Sequence, residues 1–281
     1  MTENRKKITI KTIQNMKKKG EKISFLTAYD YPTAFLEDRA GIEMILIGDS
    51  LGMTTLGFKT TLPVTMNDMI RHTEAVCRAV KYAFIVGDMP YMSYQASSEE
   101  AIRNAGKLMV CGVDGIKLEG GVKVASIVEK IVNAGIPVMG HIGLTPQSAA
   151  MLGGFRVQGK DAESARALIK DAKTLENAGA FAILLECIPA PVGKMITEEC
   201  SIPILSIGGG PHCDGQLLIV HDMIGLYEVY IPKFVKQYAN IGKIMEEAFI
   251  KYKEEVKSGV FPGPEHCYEI DDKEMNKLFE G

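Results

Sequence analysis

The sequence predicts an α/β protein folded as a (β/α)8 barrel. Three observations carry this: short apolar runs rich in Ile, Val and Leu recur eight times, longer helical patterns separate them, and polar residues close most of the runs. Strands buried on both faces read as continuous apolar runs, and their alternation with helices marks βαβ units around a parallel sheet. The length of 281 residues suits one such barrel, which usually takes roughly 250. No low-complexity linker interrupts the chain, so residues 1–281 are read as a single barrel domain with a short N-terminal extension and a C-terminal helical segment. A doubly wound open sheet is the alternative architecture.

In chain order, strands are expected at 24–28, 44–48, 83–87, 115–119, 137–142, 181–186, 202–208 and 217–222. Helices fill the gaps at Tyr31–Ala40, Met66–Tyr82, Ser98–Cys111, Val122–Ala134, Ala162–Ala178 and Pro191–Glu199. Their ends are marked: Ser97 or Ser98 precedes Glu99 and Glu100 as an N-cap with an acidic first turn. Gly112, Gly135 and Gly179 fall just past helix ends, where a left-handed residue belongs. Lys233–Lys257 reads as a long amphipathic helix before a polar tail, and the lysines of the leading segment as a solvated helix face. The span between strands seven and eight is short, and the stretches after strands two and five are long enough for substrate loops.

With 46% hydrophobic residues the chain can build a large core, which excludes disorder. The 32 basic against 35 acidic residues, net −3, give no general pull toward nucleic acid or an anionic membrane, so small molecules are the expected partners. Six cysteines are scattered without a CxxC pair, as in a reducing compartment. The basic leader lacks the apolar core of a signal peptide, and no stretch has 18 consecutive apolar residues. These features together read as a cytoplasmic protein.

The active site of a (β/α)8 barrel lies at the C-terminal ends of the strands, so polar residues there carry a functional reading. Tyr29 and Asp30 follow the first strand, Asp49 and Ser50 the second, and Asp88 the third. Lys117 and Glu119 lie on the fourth, His141 on the fifth, Glu186 on the sixth, His221 and Asp222 on the eighth. Any single Asp there could be a helix N-cap. Together, Asp49, Asp88, Glu119 and Glu186 come from four strands that a barrel converges on one mouth, which suits Mg2+ held by two or three carboxylates, waters and a bidentate substrate.

Lys117 sits inside an apolar strand and needs an anionic partner, either a substrate carboxylate or a carboxylate of the neighbouring strand. Glu119 points to the same face, two residues on. His141 reads as a substrate contact or a structural histidine. Glu186 closes a strongly apolar strand, where desolvation would raise its pKa toward that of a general base; it could instead orient a water or a histidine. His72 reads as structural, and His221 and Asp222 stay outside the core site because their strand is the least well marked. The glycine run at 206–216 is either a phosphate-binding turn or simply a tight turn.

The segments TAYDYPTA, IGDSLGMTTLGFKTTLPVTMNDMIRHT, VGDMPYMSYQ, IKLEGG, GHIGLTPQS, GGFRVQGK, LLECIP and DGQLLIVHDMIG resemble, in order, the ketopantoate hydroxymethyltransferase family. The resemblance implies a barrel of the phosphoenolpyruvate/pyruvate type. It implies transfer of a hydroxymethyl group from 5,10-methylenetetrahydrofolate to 3-methyl-2-oxobutanoate, giving ketopantoate through a Mg-stabilised enolate, with one Mg2+ per subunit. By motif, Asp49, Asp88 and Glu119 match metal positions, Asp49, Ser50, Asp88, Lys117 and His141 match or adjoin substrate positions, and Glu186 matches the proton acceptor. Family members form large homo-oligomers, often decamers, so a homo-oligomer is implied. PYMSYQ departs from the usual loop, away from every expected catalytic position. A metal-dependent carbon–carbon lyase or mutase on the same barrel, and a non-catalytic metabolite-binding barrel, are the rival readings.

Overall fold

A computed structural model describes residues 5–280, and it is the closed barrel that the apolar runs predict: eight parallel strands in the order β1 to β8, with β8 pairing β1. In sequence the elements are α1 (Ile10–Lys19), β1 (Ile23–Thr27), α2 (Tyr31–Ala40), β2 (Met44–Ile47), α3 (Leu51–Thr54), α4 (Met66–Ala79) and β3 (Phe84–Asp88). They continue with α5 (Ser98–Cys111), β4 (Gly115–Glu119), α6 (Ala125–Asn133), β5 (Val138–Gly143), α7 (Ala162–Asn177), β6 (Ala182–Glu186) and α8 (Ala190–Glu199). The chain closes with β7 (Ile204–Ile207), β8 (Gly215–Leu218), α9 (Val220–Met223), α10 (Ile241–Ser258) and α11 (Asp272–Lys277). No described helix is long and apolar enough to cross a membrane.

Strand alternation divides the apolar residues into two cores. Ile45, Ile47, Ile85, Ile116, Leu118, Ile183 and Leu185 face the helices, while Phe25, Met44, Leu46, Phe84, Val86, Met139, Leu184 and Leu205 fill the barrel. The inward set continues up each strand by twos, so Asp88 follows Val86, His141 follows Met139 and Glu186 follows Leu184. On β4 the helix-facing pair is Ile116 and Leu118, which turns Lys117 and Glu119 inward. The same period that packs the interior therefore delivers the charged residues to its top layer.

The leading segment is the helix expected, but its lysines are not simply solvated. Fully buried Ile13 of α1 joins the interior core at the foot of the barrel. Lys17 is only partly exposed and pairs with Asp214 at 2.8 Å, while Lys7 pairs with Asp114 at 2.6 Å. Both aspartates also accept backbone N–H groups, of Ile204 and Ile85, so α1 and the segment before it are bolted to two strand entrances.

Caps fall largely where expected. Ser97 accepts from the N–H of Glu100, and Gly112, Gly135 and Gly179 all take positive φ. Four elements differ. Strand eight ends at Leu218, and residues 220–223 form a short helix instead, so His221 and Asp222 are helical: the apolar run Leu217–Val220 fits either element, and the Val220 N–H is taken by the Thr27 hydroxyl. The C-terminal helix starts at Ile241 rather than Lys233, because Asn240 caps it through the N–H of Lys243. The helix after β4 opens as a 3-10 turn over Val122–Val124, and α4 ends at Ala79.

Candidate active site

Register places the charged residues side by side. Asp88 is paired with Lys117 across β3–β4, Glu119 with His141 across β4–β5, and Gly143 with Glu186 across β5–β6. Gly143 is required at that spot: its φ is +97°, and an added Cβ would lie 2.3 Å from the carbonyl oxygen of Glu186. Lys117 Nζ stands 2.8 Å from Asp88 Oδ1 and 4.0 Å from Glu119 Oε1. The neighbouring-strand ion pair expected as one reading of Lys117 is thus present. Burial alone would lower the lysine, but Asp88, Glu119 and Asp49 outweigh it and hold the ammonium above its usual range.

Asp49 reaches the same cluster from the loop after β2. Its N–H donates to Asp88 Oδ2 at 3.1 Å and its carboxylate accepts from Gln147 Nε2 at 2.9 Å. It is no cap, and the following α3 has no side-chain cap bond. Burial first, then the charges of Asp88 and Glu119, push the Asp49 carboxyl well above the usual carboxylate range. Burial likewise lifts Glu119, to about 7. Ser50 lies on the β1 side, its hydroxyl 2.7 Å from the Tyr29 hydroxyl, and no hydrogen bond joins it to the cluster.

His141 bridges the cluster to Glu186. Its Nδ1 is 3.3 Å from Lys117 Nζ and its Nε2 is 3.1 Å from Glu186 Oε2. Burial and the nearby ammonium lower its pKa, partly offset by Glu186. An ammonium only donates, so Nδ1 accepts from Lys117 and the ring proton belongs on Nε2, facing Glu186. The facing atoms touch without hydrogen-bond alignment, since Nε2 has no partner by that measure. Glu186 is raised by burial, which the histidine partly offsets.

The expected site residues thus form a chain from Asp49 through Asp88, Lys117, Glu119 and His141 to Glu186, with Ser50 beside it. His72 is structural, as read, its Nδ1 2.5 Å from the Tyr29 carbonyl. The glycine run is a turn with no open cradle: Gly209 N–H donates to Ser206 Oγ, and the Phe234 ring fills the space over Gly208. Sequence reasoning missed Gln147, and it also placed PYMSYQ away from the chemistry. In fact Tyr94 of that loop has its hydroxyl 3.1 Å from both the N–H and the carbonyl of Glu119. The signal available for both was position alone, in loops following strands of a barrel.

Among the described residues, no three His, Cys, Asp or Glu side chains stand in ligating arrangement around one point; Lys117 and Gln147 take up the carboxylate oxygens instead. The donor set nevertheless fits a hard divalent cation. It is all oxygen: Asp49, Asp88 and Glu119 surround one ammonium in a buried layer, with the partly exposed Glu186 at its edge.

The fold recurs in solved structures. Phosphonopyruvate hydrolase in complex with oxalate and Mg++ superposes with a TM-score of 0.60 at 10% identity, covering 96% of this chain and 94% of that one. 2,3-Dimethylmalate lyase, a PEP mutase/isocitrate lyase superfamily member, gives 0.57 at 12% identity over 96% and 94%. These likenesses show the fold, and fold and site together define a (β/α)8-barrel protein with a layer of charged residues at the C-terminal mouth of the barrel. The family profile described as ketopantoate hydroxymethyltransferase matches residues 7–264. Similar chains named 3-methyl-2-oxobutanoate hydroxymethyltransferase occur in Clostridium novyi (strain NT), 54% identical over 97% of this chain and 100% of that one, and in Syntrophus aciditrophicus (strain SB), 54% identical over 94% and 97%. The chain belongs to the ketopantoate hydroxymethyltransferase family.

Proposed function

We propose that this enzyme transfers a hydroxymethyl group from 5,10-methylenetetrahydrofolate to 3-methyl-2-oxobutanoate, giving ketopantoate for pantothenate and coenzyme A synthesis. The observation that carries the chemistry is Glu186: a carboxylate with raised pKa and a side chain only 16% exposed, 3.1 Å from His141 and beside a buried cluster rich in carboxylates. In this reading Asp49, Asp88 and Glu119 hold Mg2+, which supplies a Lewis acid toward the keto acid. Glu186 accepts the C3 proton and the enolate carbon forms the new bond to the methylene carbon of the folate, while both C–N bonds of that carbon break to release tetrahydrofolate and one water supplies the hydroxyl oxygen. Lys117 and Ser50 hold the substrate carboxylate, and His141 keeps Glu186 oriented and lines the substrate.

The reading extends to a cytoplasmic homo-oligomer. Free cysteines suit a reducing compartment. No residue of α10 is buried, and Ile244, Phe249 and Tyr252 are each about three-fifths exposed, an apolar face that further copies of the chain would cover. The decamer is the form we expect.

The test is direct. Purified protein with 3-methyl-2-oxobutanoate, methylenetetrahydrofolate and Mg2+ should yield ketopantoate by mass, and omission of the folate should abolish it. A lyase or mutase would instead cleave a substrate without folate, and a binding protein would leave the keto acid unchanged.

A further inference from the structure

We infer that Gln147 is a positioning residue that sets the Asp49 and Glu119 carboxylates for a divalent cation; the inference rests on the metal reading above. Its side chain is buried, and every hydrogen-bonding group of its amide is used. Nε2 donates to Asp49 Oδ2 at 2.9 Å and to the Met89 carbonyl at 3.0 Å. Oε1 accepts from the Tyr94 hydroxyl at 2.9 Å and from Gln95 Nε2 at 3.2 Å. Two acceptors on one side and two donors on the other leave one orientation for the amide. The backbone N–H of the same residue donates to Glu119 Oε2 at 3.0 Å.

Residue 147 therefore fixes one oxygen of each of two carboxylates that arrive from different strands, and it is itself anchored to the end of β3 through Met89. A residue needed only to fill space would be apolar here, since a buried amide is tolerated only with all its bonds made. Holding Asp49 Oδ2 and Glu119 Oε2 fixes the rotation of both carboxylates, which is what a rigid oxygen site requires. Outer partners of this kind commonly govern metal affinity about 10–100-fold.

The test is calorimetric titration of Mn2+ into the metal-free full chain, with Gln147→Met, nearly isosteric but without the amide, and Gln147→Asn, which keeps the amide but is one methylene short. Thermal melting without metal checks the fold of each. Expected is a Kd about 10–100-fold weaker for Gln147→Met and intermediate for Gln147→Asn, with C3 exchange recovered at saturating Mn2+. A folded variant whose Kd stays within about twofold of the parent overturns the inference, because a merely structural role would move melting and leave ion affinity alone. Loss of fold in both variants overturns it too, by assigning Gln147 to the architecture of the mouth. A parent that binds no Mn2+ overturns it together with the metal reading, whereas failure of ketopantoate formation with ion binding intact bears on the proposed reaction alone.

Discussion

Glu186 ends an apolar strand, and His141 with the Lys117 ammonium offsets its burial only in part, so its carboxyl sits above the usual glutamate range. A proton acceptor must be ionised, so C3 exchange should fall on acidification at a higher pH than an ordinary carboxylate would give. A pH–rate profile of exchange checks this. Because His141 lowers the Glu186 pKa, His141→Leu should move that acid limb further upward. Glu37, outside the site, is a further raised carboxyl, shifted chiefly by burial to about 9, with both oxygens unpartnered on α2. Its folded pKa exceeds its unfolded value of 4.5, so no penalty exists below that pH, and the penalty grows as pH rises toward about 9. Glu37→Met should thus stabilise the protein at pH 8 by about 1–3 kcal/mol and much less at pH 5, measured by thermal melting at both. The site residues legible in the sequence were those that interrupt an apolar strand, as Lys117 does in GIKLE or Glu186 in AILLE. Gln147 interrupts nothing: it lies in a loop, its chemistry is neutral, and only tertiary contact reveals it.

At the scale of elements, the barrel turns strand register into site geometry. Asp88 faces Lys117 and Glu119 faces His141 because neighbouring parallel strands are paired at those residues. Gly143 lets β5 end against β6 without displacing Glu186. Gly143→Ala forces a Cβ against backbone in a left-handed conformation, so it should cost on the order of 1–3 kcal/mol in melting and lower the exchange rate as well. Ile13→Ala at the foot should cost about 2–5 kcal/mol in stability and leave exchange kinetics unchanged. Seven strands were readable to within a few residues because each stands between helices with clear periodicity. The eighth was not, since Leu217 to Val220 is apolar through both a strand end and a helix start, and burial in three dimensions decides where one stops.

For the molecule as a whole, two outer features are uneven. The chain between β7 and β8 holds no helix, and after β8 come the four residues of α9 and a stretch whose Phe234 packs on the barrel, while α10 has no buried residue and leaves its apolar face bare. The proposed assembly predicts a particle of several 30.7 kDa chains by light scattering, and Phe249→Glu with Ile244→Glu should shift it toward smaller species. A monomer at working concentration would remove that part of the reading. Lys233–Lys257 reads as one long amphipathic helix, but amphipathic periodicity states that a helix has an apolar face, not which surface covers it.

The central claim is that Glu186 takes the C3 proton of a bound keto acid. Deuterium exchange into 3-methyl-2-oxobutanoate, followed by mass in D2O with Mg2+ for the parent and for Glu186→Gln, tests it without the folate. The account predicts exchange by the parent, a fall of about 10²–10⁴-fold in the variant, and keto acid binding nearly intact. Exchange by Glu186→Gln at the parent's rate would contradict it.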